Sequence, residues 1–142
     1  MPFTYAIHPR TQLVLTVASG MVTDAELKAL ARAQLDDPAL PTRRREFCSL
    51  EGVTEAAVTR AGLQALVEHD LHHVPRHESY RLTIAAPTDV SFGLARMYQM
   101  MVEPVLPECS VFREQAEALR WLDASAEEIE FIRGHLDLKP PQ

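Results

Sequence analysis

The densest set of chemistry-bearing side chains is the run HDLHHVPRH at positions 69–77, which gathers His69, His72, His73 and His77 around Asp70. At about 100° per residue, His69 and His73 share one face of a helix with Asp70 beside them, and three such donors can hold a divalent cation. A metal-dependent hydrolase built on His69, Asp70 and His73 is therefore one reading. Against it stands the position of the run at a helix end just before Val74-Pro75, where the helix dipole favours histidine for its own sake. The chain also carries no HExxH motif and no second ligand cluster.

Other chemistries find less support. Cys48 and Cys109 are far apart, lie inside apolar runs rather than at helix starts, and have no CxxC spacing. They read as buried free thiols in a reducing compartment. No GxSxG elbow and no glycine-rich phosphate loop occurs, and 5 glycines in 142 residues leave little room for a dinucleotide loop. The carboxylates Glu26, Glu68, Glu117, Glu127 and Glu130 fall on helix faces, where solvation accounts for them. With 14 Lys and Arg against 20 Asp and Glu, the net charge of −6 argues against a nucleic-acid binder, whose affinity rests on a basic surplus. The Arg43-Arg44-Arg45 triplet has the charge for an anion site, but reads rather as a solvated flank to a strand, within a polar lead-in over 42–46. No cofactor and no catalytic set is expected.

The elements that would position these residues can be read from periodicity and caps. Alternation over 3–8 and the apolar run 13–17 predict two strands joined so tightly that they form an antiparallel hairpin, closed by Ser19-Gly20. Thr23 and Glu26 have capping-box spacing, with the Glu26 carboxylate reaching back to the Thr23 amide, and a helix with Leu27, Leu30, Ala31 and Leu35 as its stripe follows. A third strand over 47–50 precedes a helix over 59–72 that buries Leu63, Leu66, Val67 and Leu71. A fourth strand over 80–86 leads into a helix over 89–103 with Val90, Leu94, Met97, Tyr98 and Met101 on its buried side. A short strand over 109–112, a helix over 114–122 and a last helix from Ser125, where Ser125 and Glu128 repeat the capping-box spacing, complete the chain. Crossovers that carry helices make neighbouring strands parallel, so the fold class is α/β with a five-stranded mixed sheet and an extra C-terminal helix. Residues 1–123 form the domain and 124–142 the added helix and tail. No stretch reaches the roughly 18 apolar residues of a membrane span and no signal sequence opens the chain, so a cytoplasmic protein is expected.

This order of elements, with Glu51-Gly52-Val53-Thr54 after the third strand, Gly62-Leu63 opening the second helix, and Val111-Phe112, Glu117-Ala118-Leu119 and Trp121-Leu122 near the end, resembles the STAS domain. That is the family of sulphate-transporter tails and anti-sigma factor antagonists, and the small bacterial stand-alone versions are the most similar. The resemblance covers about residues 3–122 and implies a non-enzymatic regulatory or partner-binding module. In the antagonists the turn before the second helix reads Asp-Ser-Ser-Gly-Leu, and its second serine is phosphorylated. Placing Gly62-Leu63 on that motif puts Thr59-Arg60-Ala61 over Asp-Ser-Ser, with Ala61 at the acceptor position. The phospho-switch is thus not carried over, and Thr59 reads as an N-cap for the Ala61 or Gly62 amide.

In open α/β sheets, partners meet the loops at the carboxyl ends of parallel strands, beside free helix N-termini. Those loops are 51–60 and 87–92, and Glu51, Thr54, Thr59, Arg60, Phe92 and Arg96 are the expected partner- or ligand-binding residues. Helical angles put Phe92 on the polar side of its helix, either under the C-terminal helix or in a contact surface. The alternative to a protein partner is an apolar small molecule or lipid, since STAS-like folds resemble the CRAL-TRIO lipid carriers, with Phe92 and the Met97, Met100 and Met101 side chains lining a pocket. Short edge strands and the extra helix are compatible with a homodimer.

Overall fold

Phe3–Ile7 (β1) and Val14–Thr23 (β2) form the opening antiparallel hairpin, in register from Phe3 opposite Ala18 to Ile7 opposite Val14. His8 builds its turn: the buried imidazole Nδ1 accepts the Arg10 and Thr11 amides at 3.1 Å each, and Gln12 takes φ +66°. The computed structural model describes residues 2–41, 43–73, 80–104, 106 and 108–137, with the side chains of Leu71, His73 and Asp137 outside that description.

β2 does not close at Ser19-Gly20. It runs on to Thr23 beside Arg44–Ala57 (β3), in a parallel register that passes from Val14 opposite Glu46 to Thr23 opposite Ala57. Two irregularities, between Val17 and Ser19 and between Gly20 and Met21, interrupt the pairing, and Gly20 adopts the left-handed φ of +71° that a bulged strand accommodates most readily in glycine. β3 is correspondingly longer than its apolar centre. The polar residues 44–46 belong to its start, and 51–57 are strand rather than loop, anchored because Val22 and Val53 are both buried at that end.

The remaining elements are Asp24–Leu35 (α1), Arg60–His73 (α2), Tyr80–Ala85 (β4), Asp89–Val102 (α3), Cys109–Phe112 (β5), Gln115–Leu122 (α4) and Ala126–Asp137 (α5). The strands lie in chain order β1-β2-β3-β4-β5, with every pair after the hairpin parallel. Crossovers of one hand, each advancing to the next strand, place α1, α2 and α3 on the same face. Strand parity divides the core accordingly. Ala18, Val22, Leu50, Val53, Leu82 and Ile84 pack with Leu27, Leu63, Val67, Ala95 and Val102. Leu13, Leu15, Phe47 and Ala85 face the other way, onto Ala118, Leu119, Leu122 and Ile132 of α4 and α5.

The caps differ in detail. Ser125 and Glu128 make a full capping box, the Ser125 amide on Glu128 Oε1 at 3.0 Å and the Glu128 amide on Ser125 Oγ at 3.1 Å. At Thr23 the Glu26 carboxylate takes the hydroxyl at 2.7 Å rather than the amide, while the Glu26 amide lies 3.5 Å from that hydroxyl. α3 carries a capping box of its own, with Ser91 in the place of the usual Glu.

Candidate functional site

At the carboxyl ends of β2, β3 and β4 the helix N-termini gather. Thr59 caps α2, its Oγ1 accepting the Gly62 amide at 3.0 Å, as the spacing implied. A partner invisible to local sequence completes the cap: Asp24, at the start of α1, accepts the Thr59 amide at 2.9 Å and the Thr59 hydroxyl at 2.5 Å. These bonds hold the Asp24 carboxyl below its ordinary range, the hydroxyl bond contributing most. Gly62 is the residue that lets Asp24 approach, since a Cβ there would stand 2.1 Å from Asp24 Oδ1. The Thr59 hydroxyl is thus already donor and acceptor, and a phosphate on it would meet the Asp24 carboxylate. Glu51, Thr54 and Arg60 are exposed on the same rim, Glu51 and Thr54 as residues of β3.

The neighbouring helix α3 is rotated from its expected setting. Its buried residues are Ser91, Ala95, Tyr98 and Val102, and Val90, Met97 and Met100 are 49%, 48% and 66% exposed. Ser91 stands at an inward position and is spent on the Thr88 cap, its Oγ accepting the Thr88 amide at 3.2 Å and its own amide donating to Thr88 Oγ1 at 3.1 Å, so a polar residue sits at the buried centre of the face. Phe92 is half-buried against the helix-side core, not under α5, which lies across the sheet. Its outer face is covered by Arg113, whose guanidinium carbon stands 4.4 Å above the ring while Nη1 pairs with Asp89 at 2.8 Å. Arg96 is exposed beside Met100 and bonds Gln99 at 2.6 Å.

A second polar group lies at the opposite, amino ends of the strands, inside the core. Glu46, only 6% exposed, accepts the Thr16 hydroxyl at 2.8 Å, the Tyr80 hydroxyl at 2.9 Å and Arg44 Nη1 at 3.3 Å. Arg44 also stacks on Tyr80, its guanidinium carbon 4.8 Å from the ring centre. Tyr98 donates to Asp70 at 2.7 Å. Burial, reinforced by Glu46 for Tyr80 and by Asp70 for Tyr98, pushes both phenols well above their ordinary range. Thr16, Glu46, Asp70, Tyr80 and Tyr98 edge a partly open pocket of about 100 Å³ between the sheet and α1–α3, which also takes in Cys48, Gln34, Leu63, Leu94 and Ala95. Burial raises the Cys48 thiol, and raises Cys109 to about 12. Cys48 is half-buried rather than fully enclosed.

Glu46, Tyr80 and Asp24 are not singled out by the sequence, which marks Arg44 only as part of a solvated flank. The available signal was parity: Glu46 alternates inward with Cys48 and Leu50, so once the strand starts at Arg44 a carboxylate must enter the core. The histidine reading fares differently. His69 lines the outer groove between α1 and α2, with Lys28 and Arg32, whereas Asp70 lines the pocket between the sheet and the helices. The His73 side chain and His77 lie outside the described residues, and among the described residues no group of three His, Cys, Asp or Glu side chains could hold a metal ion. No described helix is long and apolar enough to cross a membrane.

No family model and no curated protein matches the chain. Solved structures similar to it in fold include these two. One is an uncharacterized protein of the DUF3478 family with a SpoIIAA-like fold from Shewanella loihica PV-4, at TM-score 0.55 and 15% identity over 84% of this chain and 93% of that one. The other is an anti-sigma factor antagonist from Mycobacterium paratuberculosis, at TM-score 0.50 and 13% identity over 85% and 94%. The chain therefore has the STAS-like, SpoIIAA-like α/β fold that its order of elements implied, and the long β2–β3 ribbon and the Asp24–Thr59 cap are described on that frame.

Proposed function

We propose that the chain is a STAS-like regulatory module, without a phospho-acceptor serine, that captures a protein partner on the exposed face of α3 and the carboxyl-end rim from which that helix starts. The observation that carries this reading is the exposed apolar stripe of α3. Val90, Met97 and Met100 fall within one quarter of the helix circumference, with Gly93 between them and Arg96 at the margin. Adaptable methionines flanked by a cation suit a binding surface that must mould to a partner. Arg60, Glu51 and Thr54 extend the rim from β3 and the start of α2. The antagonist among the similar structures supports a protein partner as the class of ligand.

The half-buried setting of Phe92 makes it a poor probe, because its loss would open the core as well as the surface. The test is affinity capture from the native host with tagged protein, comparing wild type with a Met97→Asp, Met100→Asp, Arg60→Ala variant whose fold is checked by circular dichroism. A protein held by wild type and lost from the folded variant supports the surface formed by the α3 face and the rim. Equal capture by both removes it.

A further inference from the structure

The open groove between α1 and α2 is apart from the α3 face, and neither Arg60, Met97 nor Met100 is in its walls. The two helices pack against each other, and the Asp24–Thr59 cap ties their amino ends. Leu27 and Ala31, both buried, and the half-buried Leu66 form the floor. Gly62 and the exposed Ala65 keep the α2 wall low, beside His69. The α1 wall carries Lys28, Arg32 and Leu35, all exposed, Leu35 at 48%. Neither Lys28 nor Arg32 has an ion-pair partner among the described residues. Asp24, the acidic residue of the lining, is spent on Thr59.

We propose that this groove receives an amphipathic helix of a partner protein, lying alongside α1 and α2, whose apolar stripe meets the floor and whose acidic residues, one turn apart, face Lys28 and Arg32. The sign of the partner follows from charge. In a chain of net charge −6 these two cations stand uncompensated beside an apolar strip, so an acidic helix gains at both and a basic one is repelled. The helical form follows from spacing and length. Lys28 and Arg32 are one turn apart on α1, about 6 Å, and a second helix running nearly in line repeats that interval between its own i and i+4 residues. A single small anion meets the pair at one point only. From Asp24 to Leu35 the groove runs about 16 Å at 1.5 Å per residue, room for about three turns and their anchors at i, i+4 and i+7. Exposed ion pairs add little each, so the floor supplies the affinity while the cations choose sign and register.

The probe is a phage-displayed library of helices, with leucine fixed along one stripe and the flanking positions free to be Glu, Gln or Lys, selected against the full chain. Binding of the selected peptide is then followed at the methyl resonances of Ala31, Leu35 and Ala65, which line the groove and not the pocket beneath the helices. The expected result is enrichment of Glu pairs at i and i+4, with saturable shifts at these methyls. A folded Lys28→Glu, Arg32→Glu variant should bind the selected peptide about tenfold more weakly, two weak attractions having become repulsions, and a peptide with its Glu pair changed to Lys should recover the loss on that variant. Octanoate, one anion on an apolar tail, is titrated in parallel. No enrichment, enrichment of Lys, shifts confined to other residues, or equal binding by wild type and variant would each overturn the proposal. Saturable shifts with octanoate and none with the peptides would overturn it as well, giving the groove to a small ligand.

Discussion

Glu128 ties α5 to the sheet, and its charge rather than its shape should set how firmly. The side chain is 2% exposed, accepts Arg45 Nη1 at 2.7 Å and Nη2 at 3.2 Å, and caps its own helix through Ser125. Burial pushes its carboxyl up, but the bonds from Arg45, the Ser125 amide and Thr11 outweigh burial and hold it at about 2, against an ordinary 4.5. A carboxyl so lowered contributes about 3 kcal/mol at neutral pH. Because the folded value is the lower one, that contribution is present above the ordinary value of 4.5 and fades as pH falls toward 2. Glu128→Gln keeps the size and one acceptor, so it should cost about 2 kcal/mol at neutral pH and lower Tm by several degrees. Urea unfolding across the acid range is the assay. Wild type should lose its advantage between pH 4.5 and 2, the two curves converging there. A gap that stays constant down to about pH 2.5 would refute the reasoning, since a purely geometric cap has no such slope.

Gly62→Ala should lower Tm in wild type, because the new Cβ collides with Asp24; in an Asp24→Ala background it should raise Tm, Ala being the better helix former by about 1 kcal/mol. The same sign in both backgrounds would show that Asp24 does not select glycine. Glu46→Leu should cost about 3 kcal/mol in chemical denaturation, since it strands Arg44 in the core, and Arg44→Met in the same chain should restore most of the loss. Additive losses would mean that the two do not act as a pair. Both thiols should resist aromatic disulfide reagents at about pH 8 and react fully in denaturant, because burial raises Cys48 and Cys109 alike. Rapid labelling of the native chain would show that the sheet opens around them.

Positions of the elements were legible because the signals that set them are local. Alternation over β1, the three- and four-residue stripes of α1, α2 and α4, and the Ser125–Glu128 box each act within a turn or two of chain, and the structure places elements where they predict. The STAS-like order followed from helix-bearing crossovers, which leave parallel neighbours few arrangements. Sequence also placed Thr59 as a cap.

What local sequence could not decide was which polar residues would be buried. Arg44, Arg45 and Glu46 read as a solvated lead-in, yet they form the start of β3. Their partners Tyr80, Thr16 and Glu128 stand 36, 30 and 83 residues away along the chain. A charge in a strand is tolerated only when such a partner meets it, and the register between strands and helices determines that meeting. The same holds for α3, where Ser91 is buried in its cap with Thr88 while Val90 and Met97, which the apolar spacing put on the buried side, are exposed. Sequence by itself determined the strands, helices and their order, through short-range periodicity and capping. Only tertiary structure decided that Asp24 closes on Thr59, that Glu46 enters the core, and that the polar chamber lies at the amino ends of the strands, because these depend on groups brought together by the fold alone.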